Sequence, residues 1–84
     1  MFLGWFDPDK KRPARDKLAD AIERHLEKFG EAPVLCLTHA VEAAELAADP
    51  KAPPLPIRAV GHLPRWTFYV GFEDETPIDV TTAA

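Results

Sequence analysis

Apolar side chains alternate with polar or smaller ones along the second half of the stretch Ile57–Phe72. The apolar members of its second half are Trp66, Phe68, Val70 and Phe72. The residues between them are Thr67, Tyr69 and Gly71. This two-residue period is typical of a strand with one apolar face. We therefore predict a β-hairpin that turns at residues 63–65 and whose apolar face carries the core.

A period of three to four residues is found instead between Pro13 and Phe29. The residues on its apolar side are Leu18, Ile22, His25, Leu26 and Phe29, and Ala14 and Ala21 extend the same side. This spacing predicts an amphipathic helix of about four turns. Pro13 suits its first position because proline lacks the N–H group that would have no partner there. Gly30 can adopt the left-handed conformation that closes a helix, and Pro33 prevents its continuation.

A continuous apolar run follows at Val34–Thr38. Such a run favours a strand that is covered on both faces. Thr38 is a residue type that caps helices, so we place the second helix at His39–Ala48. The alanines of this helix permit close packing on a sheet, and Asp49 and Pro50 end it.

An N-terminal arm, residues 1–12, precedes the first helix. It contains Phe2, Trp5 and Phe6, and a large aromatic side chain buries roughly 150–250 Å² when it packs. We expect the arm to dock either as an edge strand on its own domain or on a second copy of the chain.

Two other segments connect or end the pattern. Four prolines within residues 50–56 favour a stiff, extended connection. Residues 76–84 are expected to form a frayed tail, in which Ile78 and Val80 could add a short edge strand.

These elements predict a single small α/β domain over residues 1–84. Two helices pack on a three- to four-stranded mixed sheet in the order (β)αβαββ, where the first strand is optional and the last two form the hairpin. The strand–helix–strand unit from Val34 to Leu63 should be parallel, and the second arm of the hairpin adds an antiparallel neighbour.

Charge and composition narrow the classes of function. The formal net charge is −4, and residues 31–84 carry three basic against eight acidic side chains. An acidic chain is repelled by a phosphate backbone at long range, which makes nucleic acid an unlikely general partner. The chain contains nine prolines and no Ser, Asn or Gln, a composition that is found in thermophile proteins and is also produced by a high-GC coding bias. We expect a cytoplasmic protein without a membrane partner, because we find neither a signal peptide nor a transmembrane segment.

Reactive side chains are few, and the most suggestive ones are Cys36, His39 and His62. A Cys-x-x-His pair is half of a zinc site, and a thiolate beside an imidazole is the centre of a cysteine nucleophile. The flanking leucines indicate a buried strand, however, and free cysteines are usually core residues. We therefore assign no metal, no cofactor and no catalytic residue, and do not expect an enzyme. A small metal-binding protein or enzyme at these three residues is one alternative.

A second small site is conceivable where the run Val34–Thr38 ends. Thr38 and His39 lie at a helix start that follows a strand, where unpaired N–H groups can hold an anion. A capped helix start with a solvated histidine explains the same two residues.

The predicted hairpin also offers a surface for a protein partner. The residues assigned to this interaction face are Arg58, His62, Arg65, Trp66, Thr67 and Tyr69. Arginine, tyrosine and tryptophan are enriched at interfaces, and a sheet this small gains from a second layer. We expect a protein-interaction module that forms a homodimer or binds another protein.

Nucleic-acid binding by a basic cluster is the other alternative. The cluster consists of Lys10, Lys11, Arg12, Arg15 and Lys17. Together with Trp66 and Tyr69, these cations could hold a single strand through its backbone and by stacking. Asp7, Asp9 and Asp16 are interleaved with them, which favours a solvated helix start instead.

Overall fold

Two helices and four strands form in the part of the chain, residues 2–72, that the computed structural model describes. The elements are β1 at Phe2–Phe6, α1 at Ala14–Phe29, β2 at Leu35–Thr38, α2 at Ala40–Ala48, β3 at Ile57–Ala59 and β4 at Thr67–Gly71. The predicted fold class and element order are confirmed. The N-terminal arm docks on its own domain, because β1 pairs with β4. The tail predicted at residues 76–84, with its strand at Ile78 and Val80, lies outside the described residues.

The sheet has the strand order β1-β4-β2-β3. Strand β4 is antiparallel to both neighbours, and β2 and β3 are parallel as predicted. The predicted hairpin is therefore wrong in its pairing: β4 inserts between β1 and β2 instead of lying beside β3. Phe68 and Val70 of β4 are fully buried, and such a strand is stabilised most at the centre of the sheet. Strand β3 has only three residues, two of them exposed, and occupies an edge.

Helix α1 begins at Ala14, one residue later than predicted, because Pro13 has the extended conformation of an N-cap, and it ends at Gly30 as predicted. Gly30 has φ 77°, and its N–H donates to the carbonyl of Leu26. The buried stripe agrees with the predicted one at Ala14, Leu18, Ala21 and His25. It differs in that Lys17 is buried and in that the side chain of Leu26 is 50% exposed. His25 takes the inner position because its Nδ1 donates to the carbonyl of Glu31 at 2.8 Å and its ring packs against Phe29.

Helix α2 is capped by His39 instead of Thr38. The Nδ1 atom of His39 accepts a hydrogen bond from the N–H of Val41 at 3.0 Å, so this ring replaces the expected hydroxyl. Glu42 and Leu46, one turn apart, are the buried residues of the helix. Val41 lies on the outer side of the helix and is exposed.

The core lies between the two helices and one face of the sheet. Its buried members are Ala14, Leu18, Ala21, Cys36, Leu46, Phe68 and Val70. Leu3, Trp5 and Ile57 pack against this cluster from the edge strands. Full burial of a side chain such as Phe68 or Val70 contributes roughly 1.5–3 kcal/mol. Because both helices cover the same face, no element of residues 2–72 covers the other one.

Candidate functional site

The uncovered side of the sheet, which we call the open face, follows from the alternation of side chains along each strand. Residues paired across neighbouring strands share a face, and Leu37 of β2 is paired with Tyr69 of β4. The residues of the open face are Phe2, Gly4, Phe6, Leu35, Leu37, Arg58, Thr67, Tyr69 and Gly71. Arg58 is the only charged member within the described strands. The side chain of Phe6 is 63% exposed.

Tyr69 and Gly4 lie opposite each other on this face. They are register partners in β4 and β1. A Cβ atom added at Gly4 would lie 2.7 Å from Cε1 of Tyr69, which is closer than such atoms can approach. The absence of a side chain at Gly4 thus lets the tyrosine ring lie flat across the sheet.

The structure separates the residues of the predicted interaction face. Arg58, Thr67 and Tyr69 lie on the open face, although Thr67 is only 8% exposed. His62 lies exposed in the connection between β3 and β4. Arg65 and Trp66 lie elsewhere, against the helices. The apolar members of the open face, which are Phe2, Phe6, Leu35 and Leu37, were not predicted to lie there, and Leu35 is only 9% exposed. The alternation Phe2, Gly4, Phe6 was the signal for the first two.

A cleft of about 590 Å³ lies at the edge of the sheet where β1 ends and β4 begins. Four separate segments line it: the β1–α1 connection, the start of α1, the first turns of α2 and the residues before β4. Its basic side chains are Lys10, Lys11, Arg12, Lys17 and Arg65. Its acidic side chains are Glu42 and Glu45. The lining therefore has an excess of positive charge on an acidic protein.

Trp66 forms the aromatic wall of the cleft. Its ring centroid lies 4.8 Å from Cζ of Arg65, 5.7 Å from Nζ of Lys10 and 6.0 Å from Nζ of Lys17. These are cation–π distances. The sequence analysis had combined this basic cluster with Trp66 and Tyr69. The structure brings Lys10 and Lys17 to Trp66 and places Tyr69 on the open face.

The backbone of Trp66 is held in an unusual conformation. Its φ is 59°, which costs a residue with a side chain roughly 1–2 kcal/mol. Two hydrogen bonds offset this strain. The N–H of Trp66 donates to Oε1 of Glu42 at 2.9 Å, and the carbonyl of Trp66 accepts from the N–H of Asp7 at 3.0 Å.

The two carboxylates of the cleft are already engaged by protein groups. Glu42 is 2% exposed, and its Oε2 accepts a hydrogen bond from Nε of Arg65 at 2.9 Å. Oε2 of Glu45 accepts from the N–H of Ala14 at 2.7 Å, which caps the start of α1. These two side chains of α2 thus hold the walls of the cleft in place.

The cations of the cleft fall into two groups. Arg12 forms ion pairs with Asp7 and Asp20, each at 2.8 Å, and the hydrogen bond to Asp20 is the main cause of the raised pKa of Arg12. Arg65 is paired with Glu42. The three lysines form no ion pair with any residue among 2–72. Lys17 is the exceptional one, since it is only 2% exposed.

The predicted anion site at Thr38 and His39 is occupied by internal contacts. Thr38 is fully buried, and its hydroxyl donates to the carbonyl of Thr67 at 2.7 Å. His39 uses Nδ1 to cap α2. Neither of these polar atoms is free to hold a ligand.

Cys36 lies on the covered face of the sheet and is fully buried. Burial raises the pKa of its thiol to about 12, so the thiol is protonated near neutral pH. No group of three or more His, Cys, Asp or Glu side chains that could hold a metal ion exists among residues 2–72. The buried thiol gives no support to the alternative of a nucleophile or metal site at Cys36, His39 and His62.

Comparison with known proteins gives no guide to the role of these surfaces. A scan against protein-family models, a search of curated proteins and a search of solved structures each found no match. Neither helix in the described part of the chain is long and apolar enough to cross a membrane.

Proposed function

We propose that this protein is an interaction module that forms a homodimer through its open face. The observation that supports this most directly is the pair Leu37 and Tyr69, which lie side by side on the two inner strands of a sheet face that no element of residues 2–72 covers. The free, buried thiol of Cys36 suits a reducing compartment such as the cytoplasm, where we place the dimer.

The charge of the open face favours a second copy as the occupant. Among residues 2–72, Arg58 is its only charged side chain, and it lies on the edge strand β3. Two copies can therefore meet through Leu37 and Tyr69 without bringing like charges together at the centre. Residues 73–84 of the same chain are a poorer match to an apolar surface, since they carry four acidic and no basic side chains.

A two-fold dimer has a physical reason to form here. In a two-fold interface the same patch is used on both copies, so the half-buried rings of Phe2 and Tyr69 would each gain a neighbour. Apolar area removed from water contributes roughly 25 cal/mol per Å². A sheet covered on one side by helices gains a second layer in this way.

The test is sedimentation velocity of the whole protein from micromolar to millimolar concentration, with Leu37→Asp as the variant. Leu26→Asp is the matched control, because Leu26 is a half-exposed leucine on α1, away from the open face. We expect the wild type and Leu26→Asp to sediment as dimers and Leu37→Asp as a monomer, each with an unchanged circular dichroism spectrum. A monomeric wild type at the highest concentration, or a dimeric Leu37→Asp, contradicts the proposal.

A further inference from the structure

We propose that the cleft beside Trp66 binds a small phosphate monoester, with Lys17 as the main contact to the phosphate. This site is separate from the open face and does not depend on dimerisation. The proposal rests on the burial of Lys17, on the charge balance of the cleft and on its size.

Lys17 provides the main structural argument for a bound anion. Its side chain is 2% exposed, yet it forms no ion pair and no side-chain hydrogen bond with the other residues of 2–72. The centroid of the Trp66 ring lies 6.0 Å from its Nζ atom. Nζ is not one of the fully buried side-chain nitrogens that lack a hydrogen-bond partner, so the stem of Lys17 is buried and its ammonium group reaches the surface of the cleft. An anion bound in the cleft would supply the missing acceptor.

No acidic group of residues 2–72 fills this role. Glu42 and Glu45 line the same cleft, but Glu42 accepts from Arg65 and from the N–H of Trp66, and Glu45 accepts from the N–H of Ala14. The N-terminus of α1 is likewise capped by Glu45. The charge of a ligand would therefore be held by side chains.

A phosphate fits the number of free cations. Lys10, Lys11 and Lys17 all line the cleft and none is ion-paired within residues 2–72. A phosphate monoester carries up to two negative charges and three strong acceptor oxygens, which match three ammonium groups better than a single carboxylate does. Lys10 and Lys11 are exposed and can close on a ligand, whereas Lys17 is fixed by burial.

The size of the cleft limits the ligand. Its volume of about 590 Å³ lies within the range of roughly 300–1,000 Å³ that is usual for small-molecule sites. Trp66 offers the organic part of the ligand an apolar wall. A sugar phosphate or a mononucleotide meets these conditions.

The experiment is isothermal titration calorimetry of the whole protein at low salt with four probes: inorganic phosphate, ribose 5-phosphate, AMP and adenosine. Lys17→Met keeps the length of the side chain and removes its charge. Lys28→Met is the matched control, because Lys28 is an exposed lysine near the other end of α1. We expect the wild type and Lys28→Met to bind the three phosphates and not adenosine, and Lys17→Met to bind them at least about tenfold more weakly, because charge-assisted hydrogen bonds are lost.

Stability separates this role of Lys17 from a purely structural one. Lys17→Met keeps the buried stem and removes a charge that is unpaired within residues 2–72, so it should leave the thermal midpoint of unfolding unchanged or raise it. Stronger binding of AMP than of ribose 5-phosphate would show that the base lies against Trp66. Three results would overturn the proposal: no binding of any phosphate at millimolar concentration, equal binding by Lys17→Met, or adenosine binding as tightly as AMP.

Discussion

The open face and the cleft differ in the side chains they present and in the way the chain builds them. The open face is apolar, contains one charged residue among the described strands and takes its side chains from alternate positions of single strands. The cleft is mainly basic and takes Lys17, Glu42 and Trp66 from three parts of the chain. Local alternation of residue types is sufficient to produce the first surface, whereas the second requires the sheet order that brings the start of β4 next to α1 and α2.

This difference gives each surface its own sensitivity to mutation. A change on the open face should alter association and leave the cleft intact. A change in the framework of the cleft should alter stability and ligand binding and leave association intact. Three predictions follow this division, beginning with the largest effect.

The first prediction concerns the two sides of β2. Cys36 lies on the covered face and its neighbour Leu37 lies on the open face. Burial raises the pKa of the Cys36 thiol from its ordinary range to about 12, and the thiolate is the reactive form. We expect Cys36 in the folded protein to react with a disulfide reagent at pH 8 about a thousandfold more slowly than a free thiol, from the difference in thiolate population alone.

A cysteine introduced at position 37, next to Cys36, provides the comparison. Leu37→Cys in a Cys36→Ala background should react quickly in dilute solution and more slowly as the protein concentration rises and the dimer forms.

Because the folded pKa of Cys36 lies above the unfolded value, its contribution to stability is complete below about pH 9 and is lost as the pH rises towards 12. Rapid labelling of Cys36 in the native wild type would show that the face beneath the helices is open.

The second prediction concerns the framework of the cleft. Glu42→Ala removes the carboxylate that receives Arg65 and the N–H of Trp66. It leaves the N–H of the strained residue Trp66 and the guanidinium group of Arg65 without their hydrogen-bond acceptor. We expect a loss of about 2–3 kcal/mol in the free energy of unfolding by urea, weaker phosphate binding and unchanged dimerisation.

Glu27→Ala is the control for this change. Glu27 forms an exposed pair with Arg24 at 3.3 Å, and such pairs contribute less than about 0.5 kcal/mol. Equal stability of Glu42→Ala and Glu27→Ala would contradict the role given to Glu42.

The third and smallest prediction concerns the contact between Gly4 and Tyr69. In Gly4→Ala the new methyl group would approach Cε1 of Tyr69 to 2.7 Å, so the ring must move away. Because the ring is half-buried and can shift, we expect a loss of only about 1 kcal/mol, together with weaker dimerisation. Gly61→Ala is the control, since nothing lies within 4 Å of its added methyl group. An effect of Gly61→Ala as large as that of Gly4→Ala would show that backbone freedom, not the ring, is responsible.

The elements of the fold could be predicted because their signals are local. Apolar residues at intervals of three to four positions before Gly30 predict α1, and the continuous apolar run that contains Leu35–Thr38 predicts β2. The pairing of β4 could not be predicted in the same way. Strands β3 and β4 are consecutive and separated by a short connection, which favours a hairpin, but the full burial of Phe68 and Val70 favours a central position for β4. Which of these two effects is larger depends on contacts across the whole sheet.

The candidate surfaces show the same limit. The cluster Lys10–Lys17 and the ring of Trp66 were both visible in the sequence as potential ligand contacts. Their convergence was not, because it depends on Glu42, which appears in the sequence as an ordinary acidic residue of α2. The burial of Lys17 is equally invisible, since a lysine in the first turns of an amphipathic helix is normally solvated.

The most direct test of the account is calorimetric titration of inorganic phosphate into the Leu37→Asp variant. If the two surfaces are independent, this variant should sediment as a monomer and bind phosphate with the affinity of the wild type. Loss of phosphate binding together with the dimer, in a variant that remains folded, would contradict the account, because it would place the ligand at the open face or make the cleft dependent on a second copy.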